Sequence, residues 1–140
     1  MNANDAARLL LPFPPTLNHD VGVNGRRRYL TKEYKGFIEA VGWEWLQRRP
    51  RRWGQDGRFR VELALAYGSN RRWDVDDRVK PTLDALTRAG VWLDDSQVDE
   101  ITVRRYAPDR ENPRAYLRVS LIDHVPLILP PFSEWRGFDD

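Results

Sequence analysis

"FRVELALAYGSNRRWDVDDRVKPTLDALTRAGVWLDD", residues 59–95, sets two structural periods side by side. In its first nine residues, Phe59, Val61, Leu63, Leu65 and Tyr67 fall on one face, which predicts a strand over 59–67. From Val79 the period changes. Val79, Leu83 and Leu86 recur at helical spacing, and Gly90 supplies the stop. Pro81 is tolerated only in a first turn, where its missing N–H does no harm, so the helix begins near 77–80. The link between strand and helix holds Asp74, Asp76 and Asp77, and the run closes on Asp94 and Asp95. Like charges this dense repel one another, so the link must hold something that offsets them.

Working outward, "RLLLPF" (8–13) reads as a short strand, with Pro12 marking an edge or an end. Residues 14–30 read as a loop rich in Pro, Asn and Gly. Thr31 is placed to cap a helix on which Tyr34, Phe37, Ile38, Val41 and Trp45 share a face, and Pro50 ends it. Residues 98–106 and 114–122 alternate as strands, and "PDRENP" between them is expected to close a hairpin. The expected fold is therefore α/β of the α+β type: one domain, a mixed β-sheet and two helices, in the order β-α-β-α-β-β. Residues 1–123 form that domain. Residues 124–140 are a Pro-rich tail with exposed-looking apolar side chains.

Composition narrows the function classes. The 140 residues suit one domain. No apolar run reaches the roughly 18 residues of a membrane span. The N-terminus lacks a basic start before an apolar stretch, so no signal peptide is expected. The expected location is the cytoplasm, in a protein of bacterial type. There is no Cys, and only His19 and His124, so any metal must be held mainly by oxygen. The net charge is only +2, but arginines cluster at 26–28, 48–52, 71–72 and 104–105. Arg suits phosphate, and clustered Arg around a compact acidic site favours a nucleic-acid partner. Trp43, Trp45 and Trp92 read as core.

The acids can be brought together. Asp74 and Asp76 are two apart and point the same way on an extended chain. A helix over 80–90 advances roughly 15 Å, and an extended 90–95 segment returns roughly 16 Å, which carries Asp95 back toward the pair. Three carboxylates with no His or Cys suit Mg²⁺, with Mn²⁺ as a substitute. Lys80, one turn after Asp76, could stabilise transition-state charge, and Arg71 and Arg72 could hold flanking phosphates. The same residues admit a plainer reading. Acids before a helix serve as caps and dipole partners, "DD" before a strand is often a turn, and Lys80 is spaced to pair with Asp84.

The string "DVDDRVKPTLDALTRAGVWLDDSQV" (74–98) resembles the signature of the RusA family of Holliday-junction resolvases. In that signature D-x-D-N is followed by a Lys four residues after the second Asp, here Lys80. D-A-L is Asp84-Ala85-Leu86, A-G is Ala89-Gly90, and the closing acids Asp94-Asp95 precede Gln97. "PPTLN" (14–18) and "RYLT" (28–31) resemble the family as well, and the likeness covers roughly 8–122. It implies a small, homodimeric, Mg²⁺-dependent endodeoxyribonuclease, often prophage-encoded, that makes paired nicks in four-way DNA junctions. The implied metal ligands are Asp74, Asp76 and Asp95, with Lys80 as the catalytic helper. Asp77 and Asp94 are secondary acids, and Arg26, Arg27, Arg28, Arg71 and Arg72 are DNA contacts. Two positions depart from the pattern: Asp77 stands for the usual Asn, and Trp73 for a basic residue. Rival readings are a non-catalytic branched-DNA-binding module, a metal-dependent phosphoesterase on another substrate, and a structural partner protein.

Overall fold

The alternation at 59–67 becomes the organising strand. In the computed structural model, which describes residues 5–16, 21–24, 27–123 and 127–138, β1 spans Ala6–Pro12 and α1 spans Lys32–Arg48. Strand β4 spans Arg58–Ala66, α2 Val79–Ala89, β5 Val98–Arg105 and β6 Arg114–Ile122. Residues expected to form a loop contain a two-stranded hairpin, β2 (Val21–Asn24) and β3 (Arg27–Leu30). Its strands have four residues each, too short for a period to register in the sequence.

Four strands form one sheet in the order β1-β6-β4-β5. Strand β6 is antiparallel to both β1 and β4, and β5 is parallel to β4. The expected β5–β6 hairpin is therefore wrong, because β4 lies between those strands. The reason is visible in the connection. Tyr106 N–H donates to the Leu65 carbonyl at 2.8 Å and Asp109 N–H to the Tyr67 carbonyl at 2.7 Å, so the 106–113 segment crosses the end of β4. Asp109 then accepts from the backbone N–H groups of Glu111 and Asn112 and pairs with Arg114. The α2 crossover satisfies the requirement that parallel neighbours be joined by a long connection. Burial agrees: β6 buries Ala115, Leu117 and Val119, while β5 is largely exposed, as an edge strand is.

Both helices lie in the core that covers the inner face of the sheet. Phe59, Val61, Leu63 and Leu65 meet Leu9, Leu11, Leu117 and Val119 there, under Tyr34, Phe37, Val41 and Trp45 of α1 and Leu83 and Leu86 of α2. Each such side chain contributes about 1.5–3 kcal/mol on burial. Thr31 caps α1 as expected, its hydroxyl accepting from Tyr34 N–H. Trp45 and Trp92 are core, but Trp43 is 64% exposed, since it lies off the buried 34/37/41/45 stripe. The described tail adds nothing to this core, and Leu127, Ile128, Leu129, Phe132 and Phe138 stand in solvent. No helix among the described residues is long and apolar enough to cross a membrane.

Candidate active site

The strand-to-helix link is held by the residues that flank its acids. Trp73 is buried and meets Phe13 edge-on at 5.3 Å. Arg105, from β5, donates to the Trp73 carbonyl and lies 4.4 Å from the centre of its ring. On the other side, Arg78 donates to the Pro14 carbonyl at 2.7 Å and packs 4.9 Å from the Phe13 ring, and burial pulls its pKa below the ordinary value. With Trp73 and Arg78 anchored, Val75 packs partly buried against the core, and Asp74 and Asp76 on either side of it are exposed. Val75 leads into a short 3₁₀ turn, Asp76–Arg78, which runs directly into α2.

This geometry bears on the plainer reading of the acids. Neither the 3₁₀ turn nor α2 has a side-chain capping bond. Among the described residues, the side chains of Asp74, Asp76 and Asp77 form no hydrogen bond or ion pair, so their carboxylates are not consumed as caps. The second acidic pair divides. Asp94 is a true cap: its side chain accepts from Ser96 N–H at 3.0 Å, and Gln97 answers with its amide oxygen to Asp94 N–H at 2.9 Å. Hydrogen bonds from Ser96 hold the Asp94 carboxyl below its usual range. Asp95 instead turns to α2, where its carboxylate accepts from Lys80 Nζ at 2.7 Å.

Lys80 Nζ is also 2.9 Å from Asp84, so the i,i+4 pair read in the sequence forms as well. The two carboxylates, Asp95 first, hold the Lys80 ammonium above its ordinary pKa. Gly90 makes this return possible. Its φ of 87° ends α2 in the left-handed region that favours glycine, and the chain doubles back through 91–94. Asp95 thus comes back to the first turn of the helix. Asp74 and Asp76 do not close a group with it: among the described residues, no three His, Asp or Glu side chains are gathered closely enough to hold a metal ion. Lys80 and Asp84 take up Asp95's neighbourhood instead.

The arginines expected at DNA are placed unevenly. Arg71 and Arg72 are exposed on the link beside Asp74. Arg27 and Arg28 lie on the backbone of β3, and Arg26 falls outside the described residues, as do His19 and His124. Three residues escaped the sequence reading. Arg105 brings a cation to Trp73, where the family pattern has its basic side chain one residue before the first Asp. Arg78 fixes the far end of the link. Gln97 donates to the carbonyls of Gln55 and Gly57, tying the Asp95 turn to the start of β4. Their roles depend on contacts 32 to 64 residues away along the chain, so no local signal marked them.

The fold and the link together define a small α+β domain with an acidic site opened at a strand-to-helix junction. The family model of endodeoxyribonuclease RusA matches residues 12–120, and the chain belongs to that family. Curated relatives agree. The crossover junction endodeoxyribonuclease RusA of Escherichia coli (strain K12) is 30% identical over 95 residues, covering 68% of this chain and 78% of that protein. The enzyme of the same name from Enterobacteria phage HK97 is 30% identical over 102 residues, covering 70% and 81%. That of Enterobacteria phage 82 is 30% identical over 95 residues, covering 68% and 78%.

Proposed function

We propose that the protein is an endodeoxyribonuclease that resolves four-way DNA junctions by paired phosphodiester hydrolysis, acting as a homodimer with Mg²⁺. The observation that carries the reading is the return of Asp95 to Lys80 at 2.7 Å, one helical turn from the unpaired Asp76, in a chain of the RusA family. The donor set fits the ion in kind: Asp74, Asp76 and Asp95 are all hard oxygen donors, with no described His, and no Cys at all, to draw a softer metal. These three would hold Mg²⁺ or Mn²⁺. When bound, the ion supplies a water of lowered pKa and positive charge against the phosphoryl oxygens.

The chain's own residues do the rest. Lys80 brings an ammonium that stays protonated at neutral pH toward the charge that develops on the phosphate. Asp84 and Asp95 orient it. Arg71 and Arg72 hold neighbouring phosphates, as Arg27 and Arg28 would from β3. Trp73 and Arg78 keep the link from moving when DNA pulls on it. Selectivity for branched DNA follows from shape and backbone contacts, and a two-fold dimer matches the two symmetric strands of a junction.

The test is cleavage of synthetic four-way junctions with and without Mg²⁺, beside Asp74→Asn, Asp76→Asn and Asp95→Asn. Each variant should lose cleavage by orders of magnitude while still binding the junction, because each removes charge toward the metal and none removes a phosphate contact. Near-wild-type nicking by any of them at saturating Mg²⁺ excludes that residue from the metal site. Full activity in chelator defeats the metal-dependent reading as a whole.

A further inference from the structure

A second basic site lies at the other end of α2. The C-cap of α1, Arg49, and the loop after it, with Arg51 and Arg52, bring three exposed arginines with no ion-pair partner among the described residues. Arg48 beside them is already committed to Glu44. Asp56 is the one acid between residues 49 and 57. An open cleft of about 510 Å³ is lined by Arg49 and Arg51, with Trp45, Trp53, Gln55 and Gly90 among its other walls, and Arg52 follows on the same exposed loop.

The cleft is fastened to the acidic turn. Trp53 Nε1 donates to the Val91 carbonyl at 2.8 Å, and Gln55 Nε2 to the Gly90 carbonyl at 3.0 Å. Gln97, whose amide oxygen accepts from Asp94 N–H, donates to the carbonyls of Gln55 and Gly57. The segment carrying Arg51 and Arg52 is therefore held in register with Asp94 and Asp95. A patch that only kept the protein soluble would not need that fastening.

Distance selects the ligand. From Lys80 to Gly90, α2 spans roughly 15 Å. Duplex DNA carries about one phosphate charge per 1.7 Å of axis, so a duplex lying along α2 presents phosphates at both ends of it. The three arginines are exposed and the cleft is open, which suits a string of phosphates rather than one enclosed anion. We propose that the cleft lined by Arg49 and Arg51, with exposed Arg52 beside it, is a second contact for the phosphate backbone of the same DNA arm whose scissile region lies at Asp74, Asp76 and Lys80. This rests on the junction-cleaving reading above.

The experiment measures binding of a fluorescent four-way junction by the full chain between about 50 and 200 mM salt, with Ca²⁺ in place of Mg²⁺. Replacing Arg49, Arg51 and Arg52 together by Gln should weaken binding and flatten the slope of log affinity against log salt by about two to three units. The corresponding Lys triple variant should retain the slope, because the charge count is unchanged. The Arg51→Gln/Arg52→Gln pair, confined to the exposed loop, should flatten it by about two without shifting the thermal midpoint. An unchanged slope in the triple Gln variant, with the wild type binding normally, overturns the cleft alone. A wild type that does not bind junctions overturns the functional reading and the cleft with it. Calorimetric titration with inorganic phosphate should show no saturable site. Saturable phosphate binding that the triple variant loses would make the cleft a small-anion site and overturn the proposal.

Discussion

Lys80 stands between two carboxylates that come from different places, Asp84 one turn along the same helix and Asp95 from the returning chain. Lys80→Ala should impair cleavage strongly while calorimetry still finds Mn²⁺ binding, since the proposed ligands remain. Joint loss of metal binding and activity would make Lys80 a structural residue. The pH dependence has a definite sign. Because its pKa is raised in the fold, the Lys80 contribution to stability is complete below the unfolded value of 10.5 and is lost only as pH rises through the higher folded value. The stability difference between wild type and Lys80→Ala should therefore be flat from about pH 6 to about pH 10 and shrink above that. Asp94 has the opposite sign. Its lowered carboxyl stabilises the 94–97 turn above the unfolded value of 3.8, and that is lost as pH falls through the lower folded value. Exchange protection of the Ser96 amide should report it, failing only in acid.

At the scale of elements, α2 connects the two acidic segments, and its ends set where they meet. Gly90→Ala places a side chain at φ 87°, with a strain cost of about 1–2 kcal/mol. Relief of that strain would shift the return of 91–94 and separate Asp95 from Lys80. The expected outcome is a lower denaturation midpoint together with reduced cleavage. A variant destabilised but fully active per folded molecule would show that the return does not depend on this turn. Gly57 behaves differently. A Cβ there would lie 2.7 Å from a Leu121 methyl and 3.1 Å from the Gly54 carbonyl, so the loss from Gly57→Ala is a packing loss at the start of β4.

At the scale of the whole molecule, the predictions concern assembly and charge. The helices cover one face of the sheet; the other carries Leu10 and Tyr116, paired across β1 and β6 and about half exposed, beside the ion pairs Arg60–Glu100 and Glu62–Arg118. Sedimentation at micromolar concentration should find a dimer, and cruciform plasmid should be cut on both strands within one encounter. A monomer releasing singly nicked plasmid would defeat the paired-cleavage reading. Neutralising Arg71 and Arg72 together should flatten the salt slope of junction binding by about two units. An unchanged slope would put the DNA on another surface.

The sequence by itself determined the elements whose signal is periodic and local. The strand at 59–67, the Thr31 cap and the Gly90 stop needed only near neighbours, and the 74–98 string carried the family. Tertiary structure decided what depends on contacts distant along the chain. It set β4 between β5 and β6, because the 106–113 connection hydrogen-bonds across the end of β4. It separated Asp94, a cap, from Asp95, a partner of Lys80, although the two are adjacent and identical in sequence. It turned Asp74 and Asp76 outward by packing Trp73 and Arg78 against Phe13, just past the end of β1. Periodicity reads the backbone's own repeat. Which charge meets which is set by where the chain returns, and that return is fixed by burial of the core.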